Sequence, residues 1–424
     1  MTTTPVSSQV ISDFFQLGHL RLFSRILMAL RGVYIISVLT PRDFGEYTIW
    51  LLFVFYFQFL DFGTLYSLER DISHFKGEQN IQSLKHITDI GWSSFFTLSL
   101  MASMALGVVI FFVFNSWVTA LLLGLHLLTD KLYRAYDCFY RTQFQYRSNG
   151  LGEIILAGTS LAMVWVALPR FGIQSIFFVF ILSAVLTTWF FYKRCPLQFR
   201  WSFDLRKYAR TIKGALSLGA VYYLYDFFQV IALTVLAWKW DVVTLAYFAF
   251  AFRIYQICLS LFPSVIAEVM RSRMYFHSAQ LKKGEDPFRK LFAPLGMYTL
   301  LTGLFCFLMY AGAGWGIRRF FPHYVDSTQA LIVLMLALIP MGIVKVLGEF
   351  LCSRVYNKTA LVISVWVLGI IFQGLLFFIF HLTQINIVHV APIIYLSVSV
   401  LTSGVIVWVA FDVRRSRLGV KYAS

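Results

Sequence analysis

The sequence predicts an all-α protein that crosses a membrane many times. Apolar runs of roughly 20 residues, enough for a helix to cross the ~30 Å hydrocarbon layer, recur along almost the whole chain of 424 residues. Only 13% of the residues are charged, against 59% hydrophobic. The 44 Phe, 22 Tyr and 11 Trp exceed the aromatic surface that a water-soluble core of this size uses. A transmembrane barrel is excluded, because its strands alternate apolar and polar residues over about 10 positions.

Twelve spans are expected, at 14–39, 46–68, 88–114, 116–138, 150–168, 172–192, 214–238, 242–268, 291–315, 328–352, 359–381 and 388–411. Pro41 stops the first span, and Gly45 is expected to turn the chain back sharply. Gly63 in the second span is expected to allow close helix packing. The segments Lys193–Lys213 and Arg271–Lys290 each have room for one amphipathic surface helix. The first of them separates six spans from six, which predicts an N-lobe at 1–195, a basic linker at 196–213 and a C-lobe at 214–424. A faint echo links "LTPRDFGEYTIWLLF" (39–53) to "KWDVVTLAYFAFAFR" (239–253), as in transporters built from repeats.

Net charge is +16. With both termini cytoplasmic, the inner segments collect most of the Lys and Arg, while the outer loops hold only Arg42, Arg170, Lys239, Arg318 and Arg319. The positive-inside rule accounts for that imbalance, so no nucleic-acid partner is needed. The opening "MTTTPVSSQVISDF" lacks the basic and apolar regions of a cleavable signal. The five Cys show no CxxC pair and are expected as free thiols.

Charges at membrane depth cost roughly 2.5–3.5 kcal/mol each and therefore face a partner or a cavity. The candidates are Arg25 and Arg31 in span 1, Asp130, Lys131, Arg134 and Asp137 in span 4, and Glu153 in span 5. In the second half they are Asp226, Arg253, Lys345 and Glu349. His126, Asp130, Arg134, Asp137 and Arg141 follow helical spacing and form one stripe on span 4. Arg141 and Asp137 are expected to snorkel to the cytosolic interface, and Glu153 to sit at the start of its helix. The deeper Asp130, Lys131 and Arg134 fit either a cavity wall or a structural ion-pair network. Lys345 and Glu349, at i and i+4, suit an intrahelical pair. Arg25, Arg31, Lys131, Arg134, Arg253 and Lys345 together would make a central cavity attractive to an anion. Asp226, set among aromatics, and Asp61 are the candidates for proton or sodium coupling.

Pro41, Asp43, Phe44, Gly45 and Tyr47, followed by Asp61 and Gly63, resemble the first two helices of the polysaccharide flippases, the O-antigen or Wzx-type proteins. These belong to the multidrug/oligosaccharidyl-lipid/polysaccharide exporter superfamily. "VVTLAYFAFAFRIYQICLSLFPSVIAEVMRSRM" (242–274), with Pro263, resembles the equivalent helix of the second lobe. The resemblance covers nearly the whole chain and implies a MATE-like fold of two six-helix lobes around a V-shaped cavity. It further implies a polyprenyl-diphosphate-linked oligosaccharide as cargo, gripped through its diphosphate by the six cations, and alternating access across a bacterial inner membrane. Membrane lipids, a polysaccharide polymerase and a chain-length regulator are the implied partners.

Two other functional classes fit the sequence less well. A membrane glycosyltransferase or polymerase would carry acidic or large outer loops. Here the outer loops are minimal, and no D-x-D, H-E-x-x-H, G-x-S-x-G or phosphate-binding Gly loop occurs. No metal ligand set and no cofactor are therefore expected, and the protein is expected not to be an enzyme. A multidrug antiporter of the same superfamily would share the architecture, but its cationic cargo favours an acidic cavity.

Overall fold

The structure, a computed structural model, describes residues 6–195, 197, 199–202, 204–261, 292–352, 358–382 and 387–419. Every regular element among them is helical. The first helices are α1 (Val6–Val38), α2 (Pro41–Gln58), α3 (Thr64–Gly77), α4 (Ile81–Phe114), α5 (Trp117–Thr142), α6 (Tyr146–Phe171) and α7 (Gln174–Arg194). They are followed by α8 (Leu205–Lys239), α9 (Val242–Leu261), α10 (Phe292–Phe320), α11 (Thr328–Leu336), α12 (Leu338–Leu351), α13 (Thr359–Leu382) and α14 (Ile387–Gly419).

Seven of these helices are long and apolar enough to cross a membrane, and two bent pairs raise the number to nine. The chain is thus a multi-pass membrane protein. Helices α1 and α5 fall outside that set although they are long enough, because both carry several charges at membrane depth. Their charges must be met inside the protein.

Local chemistry explains the helix ends. The hydroxyl of Thr40 accepts the Asp43 N–H at 3.2 Å, and Pro41 occupies the first helical position, where its missing N–H costs nothing. Gly45 therefore lies inside α2 rather than in a turn. Its role is contact: a Cβ there would meet the Val242 carbonyl oxygen at 2.3 Å. Asp241 caps α9 in the same manner, accepting the N–H groups of Val243 and Thr244 at 2.9 and 3.0 Å. Both members of the faint sequence echo are thus capped helix starts, and Gly45 brings them together.

The second span is one of the bent pairs. A 3-10 turn at Phe59–Asp61 and left-handed residues Phe62 and Gly63, at φ 52° and 76°, separate α2 from α3, which diverge by 47°. Gly63 meets the close-packing expectation and also supplies the positive φ. A Cβ on it would come within 2.2 Å of the Gly219 α-carbon. The other bent pair, Pro322–Leu336 with Leu338–Gly348, turns by 41°.

The basic segment after α7 is not a separate surface helix. Asp204 accepts the N–H groups of Arg206 and Lys207, both at 3.1 Å, and starts the single helix α8. The polar residues from Arg206 to Lys213 are its first turns, because nothing between them and the apolar run breaks the helix. The segment Arg271–Lys290 and Pro263 lie outside the described residues.

Two compact units emerge. One contains Met1–Leu39 and Glu46–Tyr223, the other Thr40–Gly45 and Leu224–Ser424. In the first, α1 packs most extensively on α6, α4 on α5, and α7 on both α5 and α6. Its core gathers Leu68, Ile72, Trp92, Phe95, Ala135 and Cys138. In the second, Phe228, Trp366, Phe252 and Tyr395 form an aromatic core, in which the Tyr255 and Tyr395 hydroxyls meet at 3.0 Å. Tyr324 there stacks on Phe250 at 4.6 Å and meets the edge of Phe44 at 6.0 Å.

Candidate functional site

Three charge sites lie within the first unit. The deepest is built on Arg21 of α1, whose side chain is wholly buried. It contacts Glu153 of α6 at 2.8 Å and Asp137 of α5 at 3.2 Å. Asp137 also pairs with Arg141 one turn along α5. Arg141 then grips Glu69 of α3 with two parallel bonds, at 3.2 and 3.0 Å. Ser24 donates to Glu153 at 3.1 Å, and Asn149 donates to the Asp137 carbonyl at 3.1 Å.

The result is a run of alternating sign, Glu153–Arg21–Asp137–Arg141–Glu69, that ties α6, α1, α5 and α3 together. Burial of an unpaired charge costs several kcal/mol, so each member depends on its neighbours. Arg25 lies one turn from Arg21 and close enough to act electrostatically on Asp137. This arrangement corrects two expectations. Arg141 and Asp137 do not snorkel: both are buried, because Glu69 and Arg21 reach them inside the unit. Glu153 is not a helix-start acid, since α6 begins seven residues earlier at Tyr146. Arg21 and Glu69 were missed in the sequence. Arg21 lies four residues before Arg25 and so shares its face, and Glu69 belongs to the "LERD" cluster at the end of an apolar run.

The second site is Asp61, at the break between α2 and α3. Its carboxylate pairs with Lys131 of α5, accepts the Tyr223 hydroxyl and accepts the Gly63 N–H at 2.9 Å. Lys131 also donates to the Gln58 carbonyl at 2.7 Å, satisfying a backbone group freed by the helix break. Both side chains of the pair are almost wholly buried. Two residues expected in different roles, one as a cavity cation and the other as a coupling acid, therefore neutralise each other.

The third site is more open. Arg31 of α1 donates to Ser160 at 2.7 Å, and its guanidinium lies 4.4 Å from the Phe180 ring centroid. The same ring, with Phe177, flanks His126 of α5. A turn further on, Arg134 donates to Asp130 at 2.7 Å, so the structural pair of the span 4 stripe does form. Yet the Arg134 side chain remains 43% exposed.

In the second unit, Arg253 donates to Gln256 at 3.4 Å, and the Lys345 ammonium lies 5.8 Å from the Tyr225 ring centroid. Arg253, Lys345 and Asp226 are all half-buried. The pairing of Lys345 with Glu349 lies outside the described side chains. Among the described residues, no group of three His, Cys, Asp or Glu could hold a metal ion.

No protein-family model and no curated protein sequence matches the chain. Solved structures do. A eukaryotic MATE transporter is 12% identical, with a TM-score of 0.67 over 97% of this chain and 100% of that one. A multidrug resistance MATE family transporter of the MOP superfamily, in an outward-facing conformation, is 14% identical, with a TM-score of 0.66 over the whole of both chains. A MOP superfamily transporter from Pyrococcus furiosus is 13% identical, with a TM-score of 0.58 over 98% of this chain and 99% of that one. Likeness at such identities is a likeness of fold, and the fold of this chain is that of the MATE transporters of the MOP superfamily.

Proposed function

We propose that the protein is a flippase for a polyprenyl-diphosphate-linked oligosaccharide, an O-antigen or capsule repeat unit. It crosses a bacterial inner membrane twelve times, with both termini cytoplasmic, and works by alternating access. It performs no covalent chemistry on its cargo. A polymerase and a chain-length regulator take over the product.

The observation that carries this reading is how charge is distributed at membrane depth. The carboxylates of Asp61, Glu69, Asp137 and Glu153 are buried and matched by Lys131, Arg141 and Arg21. Arg25, Arg31, Arg134, Arg253 and Lys345 are only half-buried. Among the described side chains at that depth, these half-buried cations outnumber the half-buried acids Asp130 and Asp226, which suits a diphosphate and disfavours a cationic drug. The planar fork of Arg grips phosphate oxygens through paired N–H donors. Asp61 is already held by Lys131, Tyr223 and the Gly63 N–H, so Asp226 is the stronger coupling candidate.

Reconstitution in proteoliposomes tests the proposal. A fluorescent polyprenyl-diphosphate oligosaccharide should become accessible to a membrane-impermeant quencher in the opposite leaflet. Single Ala variants of Arg25, Arg31, Arg134 and Arg253 should slow that step by about tenfold or more, as loss of a charged hydrogen bond of about 1.5–3 kcal/mol implies. Unchanged rates in all four would remove the diphosphate role. Export of cationic dyes without movement of the lipid would make the protein a multidrug antiporter instead.

A further inference from the structure

A groove of about 410 Å³ opens in the first unit between α4, α5, α7 and the chain that follows α7. Its walls include Phe96, Leu132, Tyr136, Thr188, Leu197 and Phe199, and are almost entirely apolar. Its volume falls within the roughly 300–1,000 Å³ of small-molecule sites. Along one side the rim is Val185, Trp189 and Tyr192, spaced four and three residues apart on one face of α7, and all three are exposed. Because α7 is apolar and long enough to span, an exposed apolar face on it suits contact with lipid better than with water.

The end of the groove is different in character. Trp189, Tyr192 and Trp201 are exposed aromatics at the basic end of α7, the pattern of a membrane–water interface. Lys193, Arg194 and Arg200 are exposed there. The Lys193 ammonium lies 5.9 Å from the Trp189 ring centroid, and the Arg194 guanidinium 4.6 Å from that of Phe190. Asp89 stands beside them and accepts the Arg200 backbone N–H at 2.8 Å, and Asp204 follows at the start of α8, against three cations. Charge at the mouth is therefore positive. Within the apolar wall, the Thr188 hydroxyl is buried and has no hydrogen-bond partner among the described residues. A buried hydroxyl left unpaired is costly, so an acceptor belongs beside it.

We propose that this groove is a binding site for one anionic phospholipid of the surrounding bilayer. An acyl chain fills the apolar slot, the glycerol-ester carbonyl accepts from Thr188, and the phosphate lies against Lys193, Arg194 and Arg200. Apolar walls open to lipid select a membrane-resident chain, and the basic mouth selects its negative head group. The site would fix the inner end of α7 against the first turns that follow it. It does not rest on the flippase reading and would serve any cargo.

The test uses the full chain in lipid nanodiscs with a diazirine-tailed phosphatidylglycerol, or the matching phosphatidylcholine, as probe. After photolysis, the phosphatidylglycerol probe should label peptides containing Trp189 and Leu197–Phe199 at least about fivefold more than the phosphatidylcholine probe, as basic residues near a lipid surface imply. Leu132→Trp, which fills the slot, should abolish that labelling. Val185→Trp obstructs the slot from its rim and gives the same readout should the first variant fail to fold. A triple Lys193→Gln, Arg194→Gln, Arg200→Gln variant should keep labelling but lose the preference between head groups. Thr188→Val should remove any preference for the ester-linked over the ether-linked probe. Equal labelling by both head groups in the wild type would overturn the proposal. So would labelling that neither Trp variant reduces, or that a polyprenyl diphosphate displaces while excess unlabelled phosphatidylglycerol does not.

Discussion

Arg21 of α1 and Glu153 of α6 meet at 2.8 Å with side chains 0% and 4% exposed, deep in the first unit. The pair is one link of a run whose charges alternate, so removing a cation exposes two acids to each other. Arg21→Ala should cost about 3–5 kcal/mol, the usual penalty for stranding a buried partner. Glu153→Gln should cost less, since an amide can still accept from Ser24. Thermal unfolding of the purified protein, followed by tryptophan fluorescence, ranks the two. Equal stability of Arg21→Ala and wild type would show that the run does not hold α1 to its neighbours.

Asp61→Asn and Lys131→Met, made singly, should each destabilise the first unit by a similar margin of about 3–5 kcal/mol. Made together they should recover much of it, because no charge is then left unmatched. Asp130 and Arg134 should behave differently. Their pair is partly exposed, and removing both with Ala should leave a normally inserted protein that does not translocate lipid. An active double variant would return Arg134 to a purely structural role.

Gly63 has φ 76°, and its missing Cβ leaves room for the Gly219 α-carbon. Gly63→Ala imposes a left-handed backbone on an L side chain and an overpacked contact at once, together about 2–5 kcal/mol. Expression and monodispersity in detergent should fall sharply. Gly214→Ala is a control, since nothing lies near the position of its added methyl.

At the start of α9, the Thr244 hydroxyl, together with the N–H groups of Thr244 and Val243, holds the Asp241 carboxyl below the usual carboxylate range. A lowered folded-state pKa means that the contribution is present above the unfolded value of about 3.9 and is lost as pH falls through the folded value. Asp241→Ala should cost about 1 kcal/mol near neutral pH. The difference from wild type should shrink only in strongly acidic buffer. A difference that grows on acidification would contradict the assigned cap.

Reporter fusions after Lys207 and Arg415 should read as cytoplasmic, and fusions after Arg42, Arg170 and Arg319 as external. An external reading at Lys207 would break the span count of the first half and, with it, the proposed topology.

Much of this architecture follows from residues taken in order. Apolar runs of membrane length dictate helices, since no other open structure satisfies its backbone in lipid. Thr40–Pro41 and Asp241 mark two helix starts by chemistry local to a few residues. The stripe from His126 to Arg141 could be read as facing inward, because charges at that depth must avoid lipid. Local information ends there. Nothing in the sequence near Arg21 announces Glu153 or Asp137, which lie more than a hundred residues away. Nor could it be known that Lys131 would meet Asp61, or that Arg141 would turn inward to Glu69 instead of outward to the interface. Those choices depend on which helices become neighbours and at what rotation, and only the packed bundle decides them. The chain by itself determined that its buried charges need partners. The tertiary structure decided which charges neutralise one another at depth and which remain partly exposed, because an ion pair is worth its desolvation only at contact distance.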